Sequence, residues 1–227
     1  MEFAEKFDKI IAKTPVKPER HLWLNTIAFS LVFFSILSIY LRVRRGYYDL
    51  YIINKVLAST SVSLIGISLV LSSICYFWNF ADSKIIYRKH LGIIGFIYAV
   101  IHTIVSLFFL SDHFQFPDYF LAPDHVLTFL AGLVALTIFL FMTVISNNYA
   151  VHELGGQNWR KVLRYGGYFG FFLVALHVLL MKIPGWVKWY ETGKPSALPP
   201  LSMMAMIFVF VVFFFRIALT LKTRQKQ

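Results

Sequence analysis

Six stretches of this sequence are apolar over about 20 residues each, the length that crosses a bilayer. They run Leu22–Leu41, Val56–Phe77, Leu91–Leu110, Val126–Ile145, Val162–Met181 and Leu201–Leu221. The expected fold is an all-α membrane protein with six transmembrane helices in one bundle. Composition agrees: 58% of the chain is hydrophobic, 18% is aromatic and the mean hydropathy is +0.67, values of the membrane class. The expected organisation is a cytoplasmic amphipathic N-terminal arm over 1–21, a membrane domain over 22–221 and a cytoplasmic tail over 222–227. The spans leave no room within this sequence for a soluble catalytic domain. No cleavable signal peptide is expected, because the apolar run after the charged first 21 residues exceeds the usual h-region of about 7–15.

A net charge of +11 would fit nucleic acid, but the basic residues stand beside the spans, so topology accounts for them and no nucleic-acid partner is expected. Lys6, Lys9, Lys13, Lys17 and Arg20 precede span one. Lys84, Arg88 and Lys89 follow span two, Arg160, Lys161 and Arg164 follow span four, and Lys222, Arg224 and Lys226 follow span six. The loop after span three is acidic, with Asp112, Asp118 and Asp124. The positive-inside rule then places both termini in the cytoplasm of a cell (inner) membrane. Arg42, Arg44, Arg45 and Lys55 oppose the rule. In the arm, Phe3, Phe7, Ile10 and Ile11 share one helical face, as in a short helix lying on lipid; a solvated tail is the alternative. The single cysteine, Cys75, excludes an intramolecular disulfide and any multi-cysteine metal site.

Two histidines lie deep in apolar spans, His102 in span three and His177 in span five. An ionisable group at that depth is costly and by default marks function. His102 falls 12 residues after His90 and His177 falls 13 after Arg164. At about 1.5 Å per residue both stand roughly 18–20 Å from the cytoplasmic edge, on helices of the same direction. Gly95, Ala99, His102 and Ser106 form one helical stripe, and Gly166, Gly170, Leu173 and His177 repeat its steps. Two imidazoles at one level suit the axial positions of a haem b, with small residues beside them for the porphyrin edge. The competing reading of the glycines is close helix packing. Zinc is a weaker fit, since it takes three or four protein ligands and no Asp or Glu accompanies the pair within the spans.

The segment Tyr87-Arg88-Lys89-His90-Leu91-Gly92 leading to Phe96, Tyr98 and His102 resembles span three of ferric-reductase-like transmembrane domains. Asn158-Trp159-Arg160-Lys161, followed by Arg164-Tyr165 and His177, resembles their span five. That group includes the haem-b membrane subunit of the bacterial periplasmic methionine-sulfoxide reductase system and, more distantly, the STEAP metalloreductases and NADPH oxidases. The resemblance is strongest over Tyr87–Met181. It implies a membrane cytochrome b, a haem-dependent oxidoreductase component. Electrons would enter from a cytoplasmic flavin reductase or the quinol pool and leave to an extracytoplasmic acceptor protein or ferric ion. By position, His102 and His177 match the outer haem ligands. Two-haem members carry a second histidine on each helix where this chain has Arg88 and Arg164. Arginine does not replace a neutral imidazole as iron ligand, so one haem is expected.

Arg88, Lys89, Arg160, Lys161 and Arg164 either fix topology or hold an anionic group, such as flavin phosphate or a partner's acidic surface. A flavin or quinone site on that side is thus expected as an option. His90 is taken as a boundary histidine near lipid headgroups, and Arg216 as snorkelling. His113 and His125 flank an aromatic outer loop that is either interfacial or a collector of ferric ion or a protein acceptor. No phosphate-cradling glycine motif occurs, so any nicotinamide donor would act through a separate protein. Two other classes remain open: a transporter or proton/metal pathway using the two histidines, and a non-redox membrane assembly subunit.

Overall fold

The computed structural model describes residues 18–193 and 198–225. The amphipathic arm expected over 1–21 lies outside them except for 18–21. The described residues are helical, with six helices long and apolar enough to cross a membrane, the architecture of a multi-pass membrane protein. Apolar helices suit that setting because every backbone group is satisfied within the segment.

Helix α1 spans Glu19–Arg45 and α2 spans Leu50–Phe77. A 3₁₀ segment, Asn79–Tyr87, leads into α3, Arg88–Ile104, which ends in a π-helical turn over Val105–Phe109. A short α4, Asp118–Leu121, precedes α5, Pro123–Val144. Then come α6, Asn148–Leu154, α7, Gly156–Glu191, and α8, Leu201–Arg224.

Several elements outrun the apolar runs that announce them. Asp49 caps α2 by accepting from the Ile52 amide at 2.8 Å, so the helix starts well before Val56. This brings Asn54 and Lys55 inside the bundle's second helix. Helix α7 continues past Met181 and Pro184, and Trp186 beyond the proline donates its indole N–H to Ser202 Oγ on α8 at 2.9 Å. Lys222 and Arg224, expected in a tail, complete α8. The cations that oppose the positive-inside pattern also find local roles. Arg42, Arg44 and Arg45 occupy the last turn of α1, where the helix dipole favours positive charge. Arg44 donates Nε–H to the Leu198 carbonyl at 3.0 Å.

Helix α2 is the hub. Of its most apolar window 72% is buried, against 17–22% in the other five spanning helices. It packs against α1, α3, α7 and α8. Small residues on α2 and its neighbours make such crowding possible. A side-chain carbon added at Gly95 of α3 would lie 2.7 Å from Ile65 Cγ1 and 3.1 Å from the Ile65 amide nitrogen, so α3 approaches α2 at backbone distance. The remaining pairing is α5 on α7, with α5 also touching α3. The outer helices turn apolar side chains outward, as with Leu24, Leu31, Val32, Ile39 and Val43 on α1, a surface suited to lipid.

Helices α3 and α7 both pack on α2 and on α5 but share almost no contact with each other. The buried centre between them holds Phe96, Phe139 and Phe171 with Val62, Ile65 and Leu69.

Candidate cofactor site

His102 stands on α3 and His177 on α7, the two helices held apart by α2 and α5. Both are half-buried. Each ring is fixed through Nδ1. For His177 the partner is the Thr128 carbonyl of α5, at 2.8 Å. For His102 the partners are Asn54 Oδ1 at 2.8 Å and the Asn54 carbonyl at 3.2 Å, both on α2. A carbonyl oxygen only accepts, so Nδ1 carries the proton in both rings. The proton-free nitrogen is then Nε2, a lone pair suited to a metal. This is the arrangement in which a metal-ligating histidine is oriented by a carbonyl behind it.

The support extends outward from His102. Asn54 donates Nδ2–H to Ser106 Oγ at 2.8 Å, and Ser106 donates to the His102 carbonyl at 2.9 Å. Ser106 sits in the π-helical turn, a departure from α geometry often found at functional sites. Ser106 therefore acts behind the imidazole. His177 is backed by Gly132 of α5, where an added side-chain carbon would lie 2.9 Å from Nδ1. Only glycine leaves the ring where it stands.

The other small residues have different surroundings. Gly95 is filled by Ile65 and Leu64 of α2. Gly170 is closed by Phe139 and Ile138 of α5, and Gly166 lies beside Met142, on an apolar groove with Phe141, Val162 and Phe169. Gly95 and Gly170 thus serve helix packing, their added-carbon positions taken by neighbouring side chains, while Gly166 stays on the groove. The Ala99 carbonyl accepts from Thr103 Oγ1 at 3.0 Å.

At the other end of the bundle a cavity of about 390 Å³ opens between α2, α3, α5, α7 and α8. Arg88, Lys89, Arg160, Arg164 and Arg216 line it, with Ser68, Trp159 and Tyr168, and no carboxylate is among its lining residues. Arg88 donates Nε–H to the Ser68 carbonyl at 2.9 Å while Ser68 Oγ donates to the Arg88 carbonyl at 2.7 Å. Arg216 lies 5.2 Å over the Tyr168 ring, turned inward rather than snorkelling outward. Lys161 does not line the cavity, and Lys89 also pairs with Glu19 at 3.2 Å. Such a basic hollow, with no carboxylate in its wall, attracts anionic groups.

His90 departs from its expected place. It is buried, only 3% exposed, and meets Trp23 of α1 edge-on at 4.7 Å. Two residues beyond Arg88, it points to α1 while Arg88 faces α2. The outer loop is an aromatic cluster: His113 stacks on Tyr51 at 4.5 Å and His125 on Tyr119 at 4.2 Å. No group of three or more His, Cys, Asp or Glu that could hold a metal ion occurs among the described residues.

Asn54, Thr128 and Gly132 are the supporting residues that the sequence pattern does not mark. Asn54→Leu should weaken metal or haem retention about 10–100-fold, the usual cost of losing a supporting partner, with the protein still folded. Titration of the purified variant against wild type checks this. Gly132→Ala should displace the His177 ring and destabilise by about 1–3 kcal/mol, visible as a lowered melting temperature in detergent.

A scan against protein-family models and a search of curated proteins both find no match to this chain.

Proposed function

We propose that this chain is a membrane b-type cytochrome. It moves electrons from a cytoplasmic flavin or quinol donor to an extracytoplasmic acceptor, a protein partner or ferric ion, through one bis-histidine haem. The observation that supports this best is the pair of imidazoles on α3 and α7, each with Nδ1–H committed to an oxygen of another helix, Asn54 of α2 for His102 and Thr128 of α5 for His177. That leaves two Nε2 lone pairs for one iron. His102 and His177 would hold the group. When bound it would supply one-electron chemistry at membrane depth, which no side chain in the spans supplies. Asn54 and Thr128 keep the rings in the ligating tautomer, and the buried aromatic centre excludes water between the two ends of the bundle.

The cytoplasmic placement of both termini rests on the basic loops. With it, the cavity lined by Arg88, Arg164 and Arg216 faces the cytoplasm, where an anionic flavin or a quinol headgroup would dock. The resemblance of Tyr87–Met181 to ferric-reductase-like domains points the same way. One haem is the expected count, because arginines stand where a second pair of imidazoles would be needed.

The test is a dithionite-reduced minus oxidised visible spectrum of the detergent-purified protein from haem-replete cells, with a pyridine-haemochrome count. A sharp b-type signal near one haem per chain supports the proposal. Two haems would overturn the single-haem assignment, and none would favour a transporter or an assembly subunit.

A further inference from the structure

The outer end of the bundle carries cations that topology does not call for and that electron transfer has not yet used. Lys55 directly follows Asn54, the partner of His102. Lys182 lies five residues beyond His177 on α7, about 7.5 Å further along the helix axis. Both lysines are half-buried. Both stand toward the outer ends of their helices from the histidine site, Lys55 in the second turn of α2 and Lys182 beyond His177 on α7. Among the described residues neither lysine forms an ion pair with a carboxylate. Asp49 is the acid whose charge reaches Lys55, and its side chain is engaged in capping α2. Lys55 Nζ instead sits 3.7 Å over the Tyr51 ring, which also stacks on His113 of the outer loop.

Half-buried ammonium groups without a carboxylate are costly unless a countercharge arrives. A ring system held by the two histidines brings one, because protohaem carries two carboxylates on one edge. We infer that Lys55 and Lys182 hold those two carboxylates, orienting the porphyrin with its propionate edge toward the outer end of the bundle. The inference rests on the haem proposal and deepens it. The two lysines are positioning residues, one from the hub helix and one from the His177 helix, so the ligand's charged edge would be clamped across the same gap as its iron.

The test uses the full chain in detergent, loaded with protohaem or with its dimethyl ester, which ligates iron equally but carries no propionate charge. Wild type should bind protohaem at least about tenfold more tightly than the ester, the value of one charge-assisted hydrogen bond. Lys55→Gln with Lys182→Gln should lose that preference while keeping a low-spin bis-histidine spectrum with either porphyrin. Lys182→Arg should retain it. Equal affinity of wild type for the two porphyrins, with a normal low-spin spectrum, overturns the lysine clamp and leaves the haem site standing. Failure of wild type to bind either porphyrin overturns the haem proposal itself. The wild-type comparison decides the matter even where a lysine variant fails to fold.

Discussion

Replacing His102 and His177 together by alanine is expected to abolish the b-type haem spectrum, with haem content falling at least about 100-fold at equal protein yield. Both rings, each with its Nδ1–H held by another helix and its Nε2 left proton-free, would be gone. The single variants separate ligation from folding. His177→Ala frees only the Thr128 carbonyl, whereas His102→Ala also strips Asn54 of its acceptor role. The former should therefore be the better-behaved protein. Added imidazole should occupy the space left in either variant and restore the six-coordinate spectrum. A spectrum unchanged in the double variant would place the haem, if any, elsewhere.

The second large effect is expected at the opposite end. Arg88→Gln combined with Arg164→Gln should weaken binding of flavin mononucleotide about 100-fold or more. Two charge-assisted contacts to phosphate, each worth about 1.5–3 kcal/mol, would be lost. Haem content should not change, because neither histidine lines the cavity and, along α3 and α7, Phe96 and Phe171 stand between its arginines and the histidine pair. Fluorescence titration of the flavin reads the first effect and the haemochrome count the second. Arg88 also ties α3 to α2 through the Ser68 carbonyl, so Arg164→Gln alone provides the cleaner comparison. An unchanged flavin affinity would remove the cavity from consideration. Reduction of wild type by a quinol, without flavin binding, would move the donor into the membrane.

The spanning helices are legible in the sequence because apolar length is a direct physical requirement of the bilayer. The two histidines are legible for the converse reason, their cost in the same medium. What surrounds them is less so. Thr128 contributes a backbone carbonyl, which any residue would supply, so no side chain announces it. Asn54 is a polar side chain in a mostly apolar segment, but the capping Asp49 that draws it into α2 lies outside the apolar run. Gly95, Gly166 and Gly170 form a true stripe with the histidines, yet spacing along one helix does not say which neighbour fills the space. Only the approach of α2 and α5 decides that. Arg216 reaches the cavity from α8, far from Arg88 in sequence, and a helix-end arginine taken alone reads as an interfacial anchor. His90 looked like a headgroup residue for a similar reason: its burial depends on Trp23 of another helix.

The gap between α3 and α7 has a consequence for how the protein is made. A bundle in which two of six spanning helices approach mainly through α2 and α5 contains a seam, filled here by buried side chains such as Phe96 and Phe171. A ligand bound by both sides of that seam stabilises the folded state by mass action, in proportion to its concentration over its dissociation constant. With the proposed haem as that ligand, folded protein in the membrane would rise and fall with haem supply.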